Sequence, residues 1–308
     1  MVTESRLNIS RRTVLLADSS ILLAASFWGV GFAVLKDALT YLPTFTVLVC
    51  RFLAGGVILG LIFNKRLKGL SKRGILDGLC TGFLLFLAFA LQTMGLIWTS
   101  AGKQAFLTAT YVVLAPLISW GITRRFPGLK SMTASFICLG GIWTLSAAEA
   151  GGLNKGDIMT LVSAVFFAAH LLAVDRFSKR TDPVGLASLQ MITLGLLSLP
   201  FAVLFENPSF SAMPPRAWWS MAYMIAFSTV GAFTIQNVAQ RYTSPTHAAL
   251  LLSTEAVFGA LAGVLMLGEV FTPQMLMGAF MVMAAIILVE VQLPAAWTER
   301  LLSRAEER

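Results

Sequence analysis

The chain has 308 residues, of which 57% are hydrophobic and 12% charged, against roughly a quarter charged in an average soluble domain. That excludes a globule solvated by water. The apolar residues fall in blocks of about 18 to 24, the length that carries a helix across a hydrocarbon core of about 30 Å. The net charge of +8 does not signal a nucleic-acid partner, because the basic residues sit between apolar blocks, where Lys and Arg set membrane orientation, and not along one stripe.

In chain order, residues 1–16 read as a cytoplasmic N-terminal segment. Ser10-Arg11-Arg12 before an apolar run faintly resembles a twin-arginine signal. No small-residue cleavage site follows, so the basic residues are read as holding this end in the cytoplasm. Breaks at charge, Pro and Gly clusters predict spans at 17–36, 44–63, 75–97, 102–122 and 130–148, then an external linker at 149–156. The second half gives spans at 157–175, 184–205, 216–238, 245–267 and 273–293, and a cytoplasmic tail at 294–308. Asp182 before Pro183, Ser244 before Pro245 and Thr272 before Pro273 each place an N-cap ahead of Pro at the first helical position.

With the N-terminus inside, 18 of the 23 Lys and Arg residues fall on the cytoplasmic side. Lys36, Lys103, Lys155 and Arg216 remain outside, and Arg51 lies within a span. This bias predicts ten crossings with both termini cytoplasmic. Cys50, Cys80 and Cys138 lie inside apolar blocks without metal-ligand spacing and read as small buried fillers; no metal site or cofactor is predicted.

Shifting the chain by 144 residues aligns 88–117 with 232–261, with ten of thirty positions identical. The matches include Phe89/Phe233, Gln92/Gln236, Thr99/Thr243, Ser100/Ser244, Leu107/Leu251 and Thr110/Thr254. Five spans per copy make the two repeats, 17–148 and 157–293, inverted with respect to each other, a recurring arrangement in carriers that rock about a midplane site.

A charge inside the bilayer costs about 2.5 to 3.5 kcal/mol on insertion scales, so intramembrane ionisable residues usually face the protein interior. Glu255, near the middle of the ninth span, is the leading candidate for solute binding and proton coupling, and its repeat partner is Tyr111. Helical spacing puts His247, Leu251, Thr254, Glu255, Phe258 and Ala262 on one face, and Lys103, Leu107, Thr110, Tyr111 and Leu114 on another. Both faces are predicted to line a cavity, though Glu255 could instead only bond a neighbouring helix. His170 is a second coupling candidate, or a histidine satisfied by a neighbour. Arg51 could attract an anion or tie helices together. Gln92, Gln236 and Asn237 could bond solute or other helices. Trp28, Phe32, Phe86, Phe106 and Phe167 are candidates for an aromatic wall. Lys36 and Lys103 read as solvating span ends, and Gly74, Gly78 and Gly82, like Gly259 and Gly263, as close-packing ridges.

Several segments resemble the EamA-type branch of the drug/metabolite transporter superfamily, over about residues 20–292. They are Ser26-Phe27-Trp28-Gly29, Arg51-Phe52, the run Thr99 to Thr108, Ala239 to Ser244, Thr254-Glu255-Ala256 and Leu267-Gly268-Glu269. The sequence departs from the pattern at Arg124-Arg125, where a Gly-Glu pair is frequent, and at Ala256, where Pro is. The resemblance implies an all-α fold of ten transmembrane helices and export of small metabolites such as amino acids, amines or drugs. The resulting expectation is a secondary transporter in a bacterial cytoplasmic membrane, working by alternating access as a monomer or homodimer. The alternative is a lipid flippase on the same fold. No nucleotide-binding or intramembrane-protease motif points to an enzyme.

Overall fold

The computed structural model describes residues 11–124, 126–147, 152–242, 248 and 251–290. Among these, each predicted apolar block forms a helical rod. The first five are α1 (Arg11–Ala38), α2 (Thr44–Ile62), α3 (Lys72–Leu96), α4 (Ala101–Ala109 and Tyr111–Thr123) and α5 (Leu129–Ala147). The second five are α6 (Lys155–Ser178), α7 (Pro183–Phe205), α8 (215–239), α9 (Leu251–Leu267) and α10 (Pro273–Glu290). Among the described residues six helices are long and apolar enough to cross a membrane, namely α1, α2, α3, α4, α6 and α7. The apolar stretches of α5, α9 and α10 are shorter, and α8 is interrupted by a π-helical segment at Met224–Gly231.

Local signals start the helices where the sequence places them. The Asp182 carboxylate accepts from Val184 N and Gly185 N at 3.1 and 2.9 Å, and Thr272 Oγ1 accepts from Met275 N at 3.2 Å. Asn154 and Asp157 form a reciprocal capping box on α6. Ser244 lies outside the described residues.

The two halves repeat one another in detail. The fourth rod is broken at Thr110 and the ninth at Thr254, and in each the threonine Oγ1 bonds a carbonyl three residues back, Leu107 O or Leu251 O, at 2.6 Å. Both rods end on a left-handed residue, Arg124 (φ 59°) and Gly268 (φ 68°), also related by the 144-residue shift. These equivalent rods run antiparallel across their contact: Gly259 packs on Ala105, and Gly263 on the Gly102 region. α5 and α10 likewise cross antiparallel through Gly141 and Gly278. The halves are therefore inverted in space.

Small residues set the interhelical distances. A methyl group at Gly78 would lie 2.6 Å from Leu189 Cδ2, and one at Gly82 would meet Thr193 Cβ, so α3 and α7 touch almost backbone to backbone. Large apolar side chains also coat the outside: Leu204, Phe205, Leu265 and Phe280 are all exposed. Such a continuous apolar surface suits lipid and not water. The cysteines do not share one environment, since Cys138 is buried, Cys50 half-buried and Cys80 exposed on the apolar surface; only Cys138 is a buried filler.

Candidate functional site

A cavity of about 60 Å³ lies inside the bundle, walled by α1, α2, α3, α4, α6, α8 and α9. Of the residues singled out in the sequence, Trp28, Phe32, Arg51, Gln92, Tyr111, Phe167, His170, Gln236 and Glu255 line it. The remainder of the wall includes Gly31, Leu35, Leu85, Phe89, Thr108, Leu171, Ser228 and Phe233. Three repeat-related pairs, Phe89/Phe233, Gln92/Gln236 and Tyr111/Glu255, meet here, so the cavity sits where the two inverted halves converge. Phe89 and Phe233 were visible as repeat identities, but nothing in their local sequence marks them as cavity residues.

Two π-helical segments build the seat of Arg51. The residue lies in Val49–Leu53 of α2, and its partners lie in Met224–Gly231 of α8. A π turn widens the helix and displaces carbonyls from their usual partners. Ser228 O accordingly accepts from Trp28 Nε1 at 2.8 Å and from Arg51 Nη2 at 3.3 Å. Arg51 Nη2 also donates to Ser228 Oγ at 2.9 Å, and Arg51 Nε to Thr229 Oγ1 at 2.6 Å. The guanidinium is sandwiched by rings, 4.6 Å from the Phe52 centroid and 5.0 Å from that of Phe89. Arg51 is 2% exposed, and every one of these partners is neutral.

Glu255 is the first residue after the break in α9, at the positive end of the segment Glu255–Leu267. It is buried and hydrogen-bonded with Tyr111, which follows the equivalent break in α4. Gln236 is buried, and its Oε1 has no partner among the described residues. Gln92 Nε2 donates to Thr108 Oγ1 at 3.0 Å. His170 Nε2 lies 3.0 Å from Gln190 Oε1, so this buried ring has a neighbour that satisfies it. The aromatic wall is closed by edge-on contacts, Trp28 with Phe233 at 5.0 Å and Phe89 with Phe167 at 5.1 Å between centroids.

Five candidates do not line the cavity. Phe86 packs against Phe201, and Phe106 against Phe271. Asn237 Nδ2 donates to Phe233 O, and Thr254 turns its hydroxyl back to its own helix. Thr110 faces a separate apolar groove between α4, α5 and α6. The two predicted helical faces therefore do not extend along whole rods: among the described residues of the named sets only Tyr111 and Glu255 reach the cavity, because the breaks at Thr110 and Thr254 interrupt the helical spacing. His247 lies outside the described residues.

The lysines predicted to solvate span ends do something else. Lys103 is fully buried and pairs with Asp157 at 2.8 Å, while Thr99 Oγ1 donates to the same carboxylate at 2.9 Å. Lys36 Nζ donates to Leu96 O at 2.5 Å and Thr99 O at 2.8 Å, at the C-terminus of α3. At this same end Glu269 accepts from Ala101 N and Gly102 N at 2.6 and 2.9 Å, clamping the start of α4. Arg216 bonds Asp37 at 3.1 Å, and Glu206 accepts from Phe45 N and Thr46 N at the start of α2. The opposite end is tied by Asp77 with Arg180 and Thr181, and by Arg66 with Asp182 at 3.1 Å. The Asp77 carboxylate holds the Arg180 guanidinium above its ordinary range. Each end of the cavity is thus bridged by polar contacts between helices of different halves, and a 60 Å³ space holds a few water molecules but not a solute of metabolite size.

An apolar-surfaced helical bundle of two inverted repeats around a cavity lined by buried ionisable residues is the architecture of a membrane transporter. The profile of the EamA-like transporter family matches the chain at residues 15–147 and 154–291, and the chain belongs to that family. An uncharacterized transporter of Archaeoglobus fulgidus is 35% identical over 278 residues, 90% of this chain and 87% of that protein. A protein of Chlamydia muridarum named as an S-adenosylmethionine/S-adenosylhomocysteine transporter is 24% identical, over 85% of this chain and 88% of its own. A solved crystal structure aligns with a TM-score of 0.67 at 16% identity, covering 97% of this chain and all of that one, which shows a shared fold. These relatives set the chain among transporters.

Proposed function

We propose that this chain is a secondary transporter that exports small organic metabolites, such as amino acids, amines or drug-like compounds, across the cytoplasmic membrane of a bacterium by alternating access. In this reading all ten rods cross the bilayer, both termini are cytoplasmic, and the solute sits in the central cavity with Glu255 as the protonatable coupling group. The observation that carries the reading is the placement of Arg51 and Glu255, two buried ionisable groups, in one cavity at the convergence of inverted repeats. Burial of such groups inside a membrane is costly and usually functional. The name of the Chlamydia relative supports a small organic solute. A flippase reading needs a lateral groove with room for a headgroup. The groove between α4, α5 and α6 has a volume of about 590 Å³, but among the described residues lining it only Thr110 and Ser135 carry a hydroxyl and none is charged, which suits acyl chains and not a headgroup.

The test is counterflow of labelled amino acids, amines, nucleosides and sugar phosphates in proteoliposomes, with and without an imposed pH gradient. Saturable exchange of one class supports the carrier, and loss of its pH response in Glu255→Gln supports the coupling role. Flux that grows linearly with solute concentration and never saturates would contradict it.

A further inference from the structure

The two charged residues of the central cavity share an unusual property. Neither has a protein counter-ion in salt-bridge contact among the described residues. Arg51 has five N–H donors, and its printed bonds use only Nε and Nη2, all to neutral oxygens of Ser228 and Thr229. Its Nη1 has no acceptor among the described residues, although the side chain lines the cavity. Glu255 is buried against the same cavity with Tyr111 as its hydrogen-bonding neighbour. Among the described residues, Lys103 pairs with Asp157 and Arg180 with Asp77, and Lys36, Glu206 and Glu269 are held by backbone groups; Arg51 and Glu255 differ in facing a cavity.

A third group adds to the pattern. The Gln236 carbonyl oxygen is a buried acceptor without a donor among the described residues, and the residue lines the cavity with Glu255. A buried acceptor left unmatched costs on the order of 1–3 kcal/mol, which a donor on a bound solute would recover. The cavity thus offers one guanidinium edge that lacks an anion, and a carboxylate with a vacant acceptor that together lack a cation. Apolar rings from Trp28, Phe89, Phe167 and Phe233 line the same cavity.

We propose, building on the transport reading above, that the cavity is a receptor for a zwitterion, with the solute's anionic group on the free Nη1 edge of Arg51 and its cationic group on Glu255 and Gln236 Oε1. A zwitterion neutralises both buried charges at once and leaves no net charge in the bilayer. A singly charged solute satisfies one group and leaves the other unpaired in a low-dielectric site, so selectivity comes from the pair and not from either residue alone.

The experiment measures competition for counterflow in proteoliposomes holding the full chain. The competitors are leucine and phenylalanine, and the compounds that keep each side chain with one charge: isopentylamine and 4-methylpentanoate, phenethylamine and 3-phenylpropanoate. Zwitterions are expected to compete at least tenfold better than either singly charged relative. In Arg51→Gln the amines should close that gap, and in Glu255→Gln the carboxylates should; this reciprocal exchange is not produced by loss of folding. Wild-type competition decides the matter without any variant. An amine or a carboxylate that competes as well as its zwitterion, with saturable transport intact, would overturn the assignment and leave the transporter standing. Saturable flux of none of the panel would overturn the transport reading and this one with it.

Discussion

Replacing Lys103 with Met should destabilise the protein severely, and replacing Asp157 as well should restore much of the loss. The Lys103 ammonium and Asp157 carboxylate are both fully buried, 2.8 Å apart, and join the first turns of α4 and α6. Removing one member of a buried pair strands the other charge at a cost of about 3–5 kcal/mol. Lys103→Met leaves the carboxylate its bonds from Thr99 Oγ1 and Asn154 N, neutral donors that offset only part of that cost. Asp157→Asn keeps the shape of the capping box while removing the charge, and it strands the ammonium instead. The double variant buries neither charge and should recover at least about 2 kcal/mol relative to the sum of the singles, a coupling within the range seen for groups in contact. Thermal unfolding in detergent, followed for the four proteins of the cycle, reads this directly. A drop on the order of 6–15 °C is expected for each single change. Additive effects, or a Lys103→Met protein within about 1 kcal/mol of wild type, would refute the buried-pair argument.

Other perturbations follow from the packing and caps. Glu269→Ala frees Ala101 N and Gly102 N at the start of α4 and should cost about 1–2 kcal/mol, as other helix-cap losses do; Glu269→Gln should recover part of it in the same unfolding assay. Gly82→Leu drives a side chain into Thr193 and Gln190 O and should cost at least about 3 kcal/mol, with Gly82→Ala nearer 1–3; both should lower the yield of folded protein on size-exclusion chromatography. Leu265→Ala, on the exposed apolar face, should change thermal stability by less than about 0.5 kcal/mol.

Much of this architecture is legible in the sequence because its causes are local. Apolar block length fixes the rods, Asp182 and Thr272 cap them through neighbours two or three residues away, and the repeat brings Gln92 with Gln236 and Tyr111 with Glu255 to one place. What escapes sequence reading depends on distant partners or on phase. The breaks at Thr110 and Thr254 rotate the following segment, so a face drawn at constant helical spacing overshoots the cavity on both sides. Lys36 and Lys103 look like solvated ends until Leu96 O, Thr99 O and Asp157 are seen to enclose them. Glu206 and Glu269 cap helices more than 150 residues away, and no periodicity in either segment foretells that. The π-helical segments that seat Arg51 carry no composition that separates them from ordinary apolar helix.

The central claim is that one cavity is reached from the two membrane faces in turn. The most direct measurement places a single cysteine at Leu171, on the cavity wall, in a chain with Cys50, Cys80 and Cys138 replaced, and follows its reaction with a membrane-impermeant thiol reagent added to either side. The account predicts reaction from each face in separate states, with saturating solute slowing both. A cysteine labelled from both faces at once in the same population, unaffected by transported solute, would mean an open pore and contradict the account.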